Sequence, residues 1–468
     1  MVFNSKQLVC GIISLVFISL CKSQEIPKRS FVSDIVNMSF NNVDNWEYNS
    51  IFGPHRYQQK NDHLFSDKNS TIHAFSISTN WDKLYIKHYS LFTFRKYFFA
   101  YFDFHFDGEH KQLQGGEDQI VLNYSSPIKI DMSGFGYEND WVNIQIGRGR
   151  ESWGAGERIQ IALNNDSPAY DYIKIGSNYG NVRVRCVNAF LEKTNDGYNR
   201  YLSARGVEWT NKKSVLVGIH ETVIYSGYDR KFEIAYLNPI GSHLEIEWNN
   251  RLTFSEKEQA SNAVWQLSGD FITKNNFRIS GNILIDDIVI DREIEGNQSN
   301  AIAYSLKLNK SHFIKANTVN FYLATAKVST STFRHAKYNN FIVKGKPIGI
   351  GIGSDSKTYL IGFTFLKNNK LSFTYGFNHT LSGDRNIAHT PYLPSSRDDS
   401  TLGSFPSGNI LTIQFHESEL KYLISNKLML SIRYLSGNKL IPKLDSQLCI
   451  GVDYNFMLHK PNTFNYLK

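Results

Sequence analysis

The sequence predicts an all-β fold, an antiparallel β-barrel of the kind that crosses an outer membrane. Three observations predict it. From about residue 90 onward the dominant hydrophobic period is two, the mark of strands with one apolar and one polar face. The alternating segments run to about nine or ten residues, the length a tilted strand needs to cross a bilayer. Their apolar faces often begin or end in Tyr, Trp or Phe, as interfacial girdles require, while the opposite faces carry charges that a packed sandwich core would not tolerate.

Composition agrees with this reading. The 468 residues include 32 Phe, 26 Tyr and 7 Trp, far too many aromatics for a disordered chain. Hydrophobic residues make up only 41%, and a single apolar run stands out, which excludes a polytopic helical membrane protein. In a barrel just one face of each strand meets lipid, so a half-apolar average is expected. Lys and Arg number 51 against 43 Asp and Glu, a net charge of +8 that would attract acidic polymers and an anionic outer leaflet. Part of that excess is expected as arginines paired inside the lumen.

The elements follow in order. Residues 1–23 read as a secretory signal peptide: Lys6, the apolar run LVCGIISLVFISLC at 8–21, then Lys22 and Ser23 at the cut site. Cys10 and Cys21 leave with it. Cys186 and Cys449 remain, far apart in sequence; whether they pair is left open, since a disulfide framework would use more cysteines in a shorter chain. Residues 24–90 are less regular, with Asn and Asp clusters, and are expected to form a periplasmic or plug-like segment plus the first strands. Residues 91–456 carry the barrel. Alternation is clear at 97–106, 141–148, 182–186, 277–283, 359–365, 371–377, 428–434 and 448–456. Arg183, Arg185, Arg278 and Asp453 fall on the polar faces. The connectors are short, as at 367–370, or long and rich in Ser, Asp, Pro and Gly, as at 382–409, the asymmetry of an outer-membrane barrel. A tail at 457–468 follows the last strand. No repeat of 20–50 residues is present, which argues against a propeller or solenoid.

The most distinctive stretch is 147–157, GRGRESWGAGE, which directly continues the strand at 141–146. It is not a dinucleotide fingerprint, because the third glycine is missing and no helical pattern follows. Its glycines permit a tight turn beside a large indole, and Arg148 and Arg150 offer forked donors for carboxylates or phosphates. Trp153 could stack on a sugar or plug the barrel, and an inward-folded structural turn with Arg–Glu pairing is the plainer reading. The glycine run at 349–353 lacks the Lys-Ser/Thr of a phosphate loop and reads as a bend. The His-x-Ser spacings at His88/Ser90 and His416/Ser418 match that of a lipid-facing hydrolase, but 14 His in a Ser-rich chain produce such matches by chance. No CxxC and no HExxH occurs, so neither a metal nor a cofactor is expected.

From this motif onward the chain resembles the Wzi capsule-assembly family, in the versions common in Bacteroidetes. The resemblance rests on ordered blocks: Ile146-Gly147-Arg148 through Trp153-Gly154, then LNNDSP at 163–168 with Asp171-Tyr172-Ile173-Lys174. Ala189-Phe190-Leu191, YLSAR at 201–205, ETVIYSG at 221–227 and AYLNP at 235–239 come next, then Leu284-Ile285-Asp286-Asp287, with a weaker echo at 347–355. Residues outside roughly 140–290 share only general character. The resemblance implies a bacterial outer-membrane barrel of about 16–18 strands with a lectin-like role in organising surface polysaccharide. It carries over no binding residue one by one.

The expected protein is therefore a multi-pass barrel of the bacterial outer membrane, not an enzyme, that binds surface or capsular polysaccharide and assists capsule assembly or attachment. The rival reading is a channel for solute passage or polysaccharide export. Expected partners are polysaccharide and outer-membrane lipid, with no nucleic acid, and a monomer is expected. Candidate glycan or lumen contacts are Arg148, Arg150, Trp153, Glu157, Asn164, Asn165 and Asp171.

Overall fold

The computed structural model describes residues 50–52, 70–80, 83–94, 97–107, 128–139, 141–239, 241–248, 258–287, 300–314, 317–335, 338–368, 370–390, 404–425, 428–441 and 444–459. The expected signal peptide, and the tail from residue 460, lie outside them.

Eighteen antiparallel strands form one closed sheet. They are β1 (Ser70–Asn80), β2 (Lys83–Phe94), β3 (Phe98–Asp107), β4 (Ile128–Glu138), β5 (Val142–Gly149) and β6 (Tyr170–Tyr179). β7 (Val182–Lys193), β8 (Tyr198–Thr210), β9 (Val215–Tyr228), β10 (Glu258–Ile272), β11 (Phe277–Asp287), β12 (Ala301–Ile314) and β13 (Asn317–Val328) follow. A hairpin, β14 (Ile342–Val343) with β15 (Lys346–Pro347), lies in a loop, and β16 (Ser356–Lys367), β17 (Leu371–Ser382), β18 (Leu411–Ser425), β19 (Leu428–Ile441) and β20 (Leu444–His459) complete the wall. Each strand pairs with the next, and β1 pairs with β20 from Ser70↔His459 to Thr79↔Ile450. Closure leaves no free edge, the condition a sheet must meet in lipid.

The count lies within the expected 16–18. The first strand begins at Ser70, within the 24–90 segment, and the last runs on to His459. β1, STIHAFSISTN, carries the same alternation over a short run, with Phe75 and Ile77 outward against Ser76 and Ser78.

All eight connections at one rim are two to four residues long, whereas the other rim carries the long segments 108–127, 150–169, 229–257, 288–300, 329–355 and 383–410. By the usual polarity of such barrels the short-turn rim faces the periplasm and the long-loop rim faces out. Outward residues are apolar and exposed, for example Ile144, Ile146, Ile173 and Ile175 on β5 and β6. Trp141, Tyr179, Trp209 and Phe271 ring the short-turn end of that belt, and Tyr304 and Tyr359 stand near the other. This is the apolar band between two aromatic girdles that lipid demands.

Inward faces are polar and paired. Arg183 meets Glu208 across β7 and β8, and Arg278 Nε donates to Asp270 at 2.9 Å between β10 and β11. Along β5–β13 the lumen is packed by loops that turn inward from the long-loop rim, and their apolar residues join the wall in one cluster that includes Trp153, Ile161, Leu163, Phe341 and Ile348. The segment 229–257 does the reverse. Its described residues, 229–239 and 241–248, leave β9, lie over the outside of the wall around β7–β9, and include a helix, α1 (His243–Trp248). Cys186 and Cys449 are both free thiols. No described helix is long and apolar enough to span a bilayer.

Candidate functional site

The 150–169 loop is built around Trp153. Its backbone bridges two strand-like neighbours, Phe52 and Leu163. Trp153 N–H donates to the Leu163 carbonyl at 3.1 Å and Gly154 N–H to that of Ile51 at 2.8 Å. Gly154 (φ +135°) and Gly156 (φ +75°) hold turns that a side chain would strain, and a Cβ on Gly154 would meet Gln266 Nε2 at 2.7 Å. The indole packs edge-on against Phe52 at 4.9 Å and His220 at 5.5 Å. Its Nε1–H donates to Glu151 Oε2 at 2.9 Å, and the other oxygen of Glu151 receives Lys174 Nζ at 2.9 Å, with both charged side chains buried.

A second loop zips onto the first. Ile350 N–H donates to Ile161 O at 2.9 Å and Asn164 N–H to Ile348 O at 3.2 Å. The glycine run at 349–353 is the reason they can approach: a Cβ on Gly349 would lie 2.1 Å from Ile161 O. Arg200 then ties that loop to the wall, donating to the carbonyls of Tyr338, Asn340 and Ile342 at 2.6, 2.6 and 2.7 Å. Asp355 holds the 383–410 loop through Ser407 Oγ at 2.6 Å and Arg385 N–H at 3.1 Å. Residues 50–52 lie in the lumen near the short-turn end of β8, where Ile51 N–H donates to Glu208 Oε2 at 2.7 Å.

The sequence-predicted residues are distributed over this arrangement. Trp153 is fully buried in the lumen and cannot stack on a sugar from there. Asn164 is buried, with its amide on Gln160 O at 2.9 Å, while Asn165 is exposed beside it. Arg148 and Asp171 pair at 3.1 Å on the outer wall, at the upper edge of the apolar belt, because they occupy the same lipid-side register as Ile146 and Ile173. Arg150 is half-buried near the rim. Glu157 borders a luminal cavity of about 170 Å³ below the loop tip, with Arg158, Lys307, Tyr322, Glu417 and Lys421. Arg158 has φ +67° and reaches Glu417 at 3.2 Å on the far wall. Burial opposes its charge, but Glu417 and Glu157 outweigh that and raise its pKa.

The two His-x-Ser pairs face lipid, not a cleft. Ser90 Oγ is buried between His73 Nδ1 at 2.7 Å and His88 Nε2 at 3.1 Å, a bridge that gives the hydroxyl and one nitrogen of each ring a partner on an apolar wall. His416 shares a 2.8 Å hydrogen bond with Tyr375.

One cluster escaped the sequence reading. At the long-loop mouth Tyr198 stacks on Tyr338 at 4.0 Å and 19°, and Tyr228 stands edge-on to Tyr198 at 6.1 Å. Tyr338 O–H donates to Asp196 at 2.5 Å, and Lys193 and Asp229 pair beside it at 2.8 Å. Tyr228 is 47% exposed. The three rings lie up to 140 residues apart, and only the pairing of β8 with β9 and the anchoring of the 329–355 loop by Arg200 bring them together.

A closed 18-strand antiparallel barrel with an apolar, girdled outer belt defines the class: the chain is a multi-pass outer-membrane β-barrel. No family model matches the chain, and no curated protein matches its sequence. Among solved structures it is similar to Wzi of Escherichia coli, an outer-membrane protein involved in group 1 capsule assembly and a carbohydrate-binding β-barrel. That match has 11% identity and a TM-score of 0.61, covering 85% of this chain and 86% of that one. It is also similar to OccAB2 of Acinetobacter baumannii (10% identity, TM-score 0.46, 84% and 99% covered) and OprD of Pseudomonas aeruginosa (9%, 0.43, 84% and 95%). Identities this low speak to the fold.

Proposed function

We propose that this barrel binds surface polysaccharide at its long-loop mouth and so helps retain or assemble a capsule. The observation that carries the reading is the tyrosine shelf of Tyr198, Tyr228 and Tyr338. Aromatic rings with an apolar face and a polar edge suit the CH-rich faces of sugars, and Asp196, Asp229 and Lys193 supply acceptors and donors around them. The inward loops that pack the β5–β13 side of the lumen support a binder, because they hold the shelf rigid. The basic excess of the chain favours acidic polymers. Titration of the purified protein with the polysaccharide of its own cell surface tests the proposal. Replacing both Tyr198 and Tyr228 by Ala is expected to weaken binding by about tenfold or more, since each lost anchor contributes on the order of 1 kcal/mol. Unchanged affinity in a folded double variant would sink the reading.

A channel is the second reading, and one observation favours it: the charged luminal cavity under Arg158, flanked by the exposed guanidinium of Arg433 on Glu417 at 2.7 Å. Planar-bilayer recording separates the two. A steady, ion-selective conductance that changes when Glu417 becomes Gln favours a channel, and a silent barrel favours the binder.

A further inference from the structure

The outer wall holds an ion pair at the depth of the apolar belt. One row of the ladder runs from Ile144 through Ile175, Cys186, Arg205 and Glu221 to Trp265. Residues paired in this way point to the same face of a sheet. Ile144 and Ile175 are 42% and 40% exposed on the lipid side, so Arg205 and Glu221 also point outward. Arg205 is four positions above Trp209 of the short-turn girdle, about 13 Å along the strand, in a belt about 25 Å tall. An Arg–Glu pair bare to lipid at that level would be costly.

It is not bare. Residues 229–239 and 241–248 lie across it as a strap. Arg205 Nη1 donates to Asn238 O at 3.0 Å and also to Gly241 O, and Glu221 takes His243 N–H at 3.2 Å and His243 Nδ1 at 2.6 Å. Higher up, Tyr236 stacks on Tyr225 at 4.2 Å and Ser203 Oγ donates to Tyr236 O at 3.1 Å. Tyr236 and Ile246 are fully buried against the wall. The strap's backbone closes on itself in a 3-10 turn at Ile234–Leu237 and in α1, and Ser203 and Arg205 of the wall take the carbonyls of Tyr236, Asn238 and Gly241, the pairing a segment in lipid requires. Its outer surface carries apolar residues, Ile234 at 78% exposed with Leu237 and Leu244 half-buried, beside the exposed Lys231 and Asn238. Glu233, the acid next to Ile234, is neutralised by Arg230 at 3.2 Å.

We infer that the strap is an intramembrane element that replaces outer-leaflet lipid against β7–β10, and that Ile234, Leu237 and Leu244 contact lipid acyl chains. The inference rests on register and packing and is independent of the glycan-binding reading. Its depth order is set by the wall. Leu237, whose carbonyl lies against Cys186, is deep, and Ile234, beside the Tyr201–Tyr225 level, is shallower.

The test places an environment-sensitive fluorophore at Ile234→Cys and, separately, at Leu244→Cys, in a full-length chain whose four cysteines, Cys10, Cys21, Cys186 and Cys449, are all replaced by Ala. The proteins are folded into phosphatidylcholine vesicles containing either chain-nitroxide lipids or iodide on both sides. At both positions, quenching by acyl-chain nitroxides is expected to exceed quenching by iodide several-fold, and a label at Lys344→Cys in the loop hairpin should show the reverse. Iodide-dominated quenching at both strap positions overturns the inference. Folding of each labelled chain is verified by its heat-shifted migration on gels, and either strap position alone suffices if the other variant does not fold.

Discussion

Glu151 holds the inward loop through two buried bonds, and replacing it by Ala should release that loop while leaving the barrel wall intact. One carboxylate oxygen accepts the Trp153 indole N–H and the other accepts Lys174, whose side chain is 0% exposed. Breaking a buried pair by removing one partner costs about 3–5 kcal/mol, because the survivor keeps its charge without compensation. Stranding the indole donor adds about 1–3 kcal/mol. The Tyr172 ring, 5.2 Å from Lys174 Nζ, offsets a small part. The loss should be local, since the wall is held by ladder bonds on which Glu151 has no bearing. The informative comparison is Glu151→Ala with Lys174→Met: removing both charges for a side chain of similar volume should recover about 2–4 kcal/mol of the single-variant loss. Hydrogen exchange across 150–169 in the folded, lipid-embedded protein reads the opening free energy, and heat-shifted migration reads the wall. If the double variant opens as readily as Glu151→Ala alone, the stranded charge of Lys174 is not the source of the cost.

Gly349→Ala should separate the two inward loops, because its Cβ would lie 2.1 Å from Ile161 O and backbone cannot yield as a side chain does; faster exchange at Ile350 N–H with unchanged exchange in β16 is the expected result. His220 is buried with neither ring nitrogen bonded to a described residue, so His220→Leu is expected to keep or raise stability by about 1 kcal/mol in denaturant titration, and a loss above that would show a hidden partner.

The glycine run at 349–353 and the GRGRESWGAGE stretch show where reading the sequence succeeds and where it stops. Both read as bends and both do bend, although the charges of the second pair as Arg148 with Asp171 and Glu151 with Lys174. That they bend toward each other, so that Asn164 N–H meets Ile348 O and Ile350 N–H meets Ile161 O, depends on closure of the barrel around them. Arg148 and Trp153 sit in one motif, yet Arg148 ends on the outer wall and Trp153 in the lumen. A strand alternates faces by residue, and the chain leaves the strand between them. The tyrosine shelf had no local signal at all, because Tyr198, Tyr228 and Tyr338 are ordinary residues until a closed sheet and a pinned loop bring them into contact.

What the sequence determined by itself is the wall: alternation, strand length and aromatic ends are local properties, and each strand's two environments, lipid and lumen, are written in its own residues. What only the tertiary structure decided is which long segments turn in and which turns out. Arg205 and Glu221 face outward because ladder register, the pairing of β7, β8 and β9, puts them in one row with Ile144 and Ile175. The strap that covers them follows from that register, since a charged pair at lipid depth is stable only where carbonyls and an imidazole can be brought to meet it.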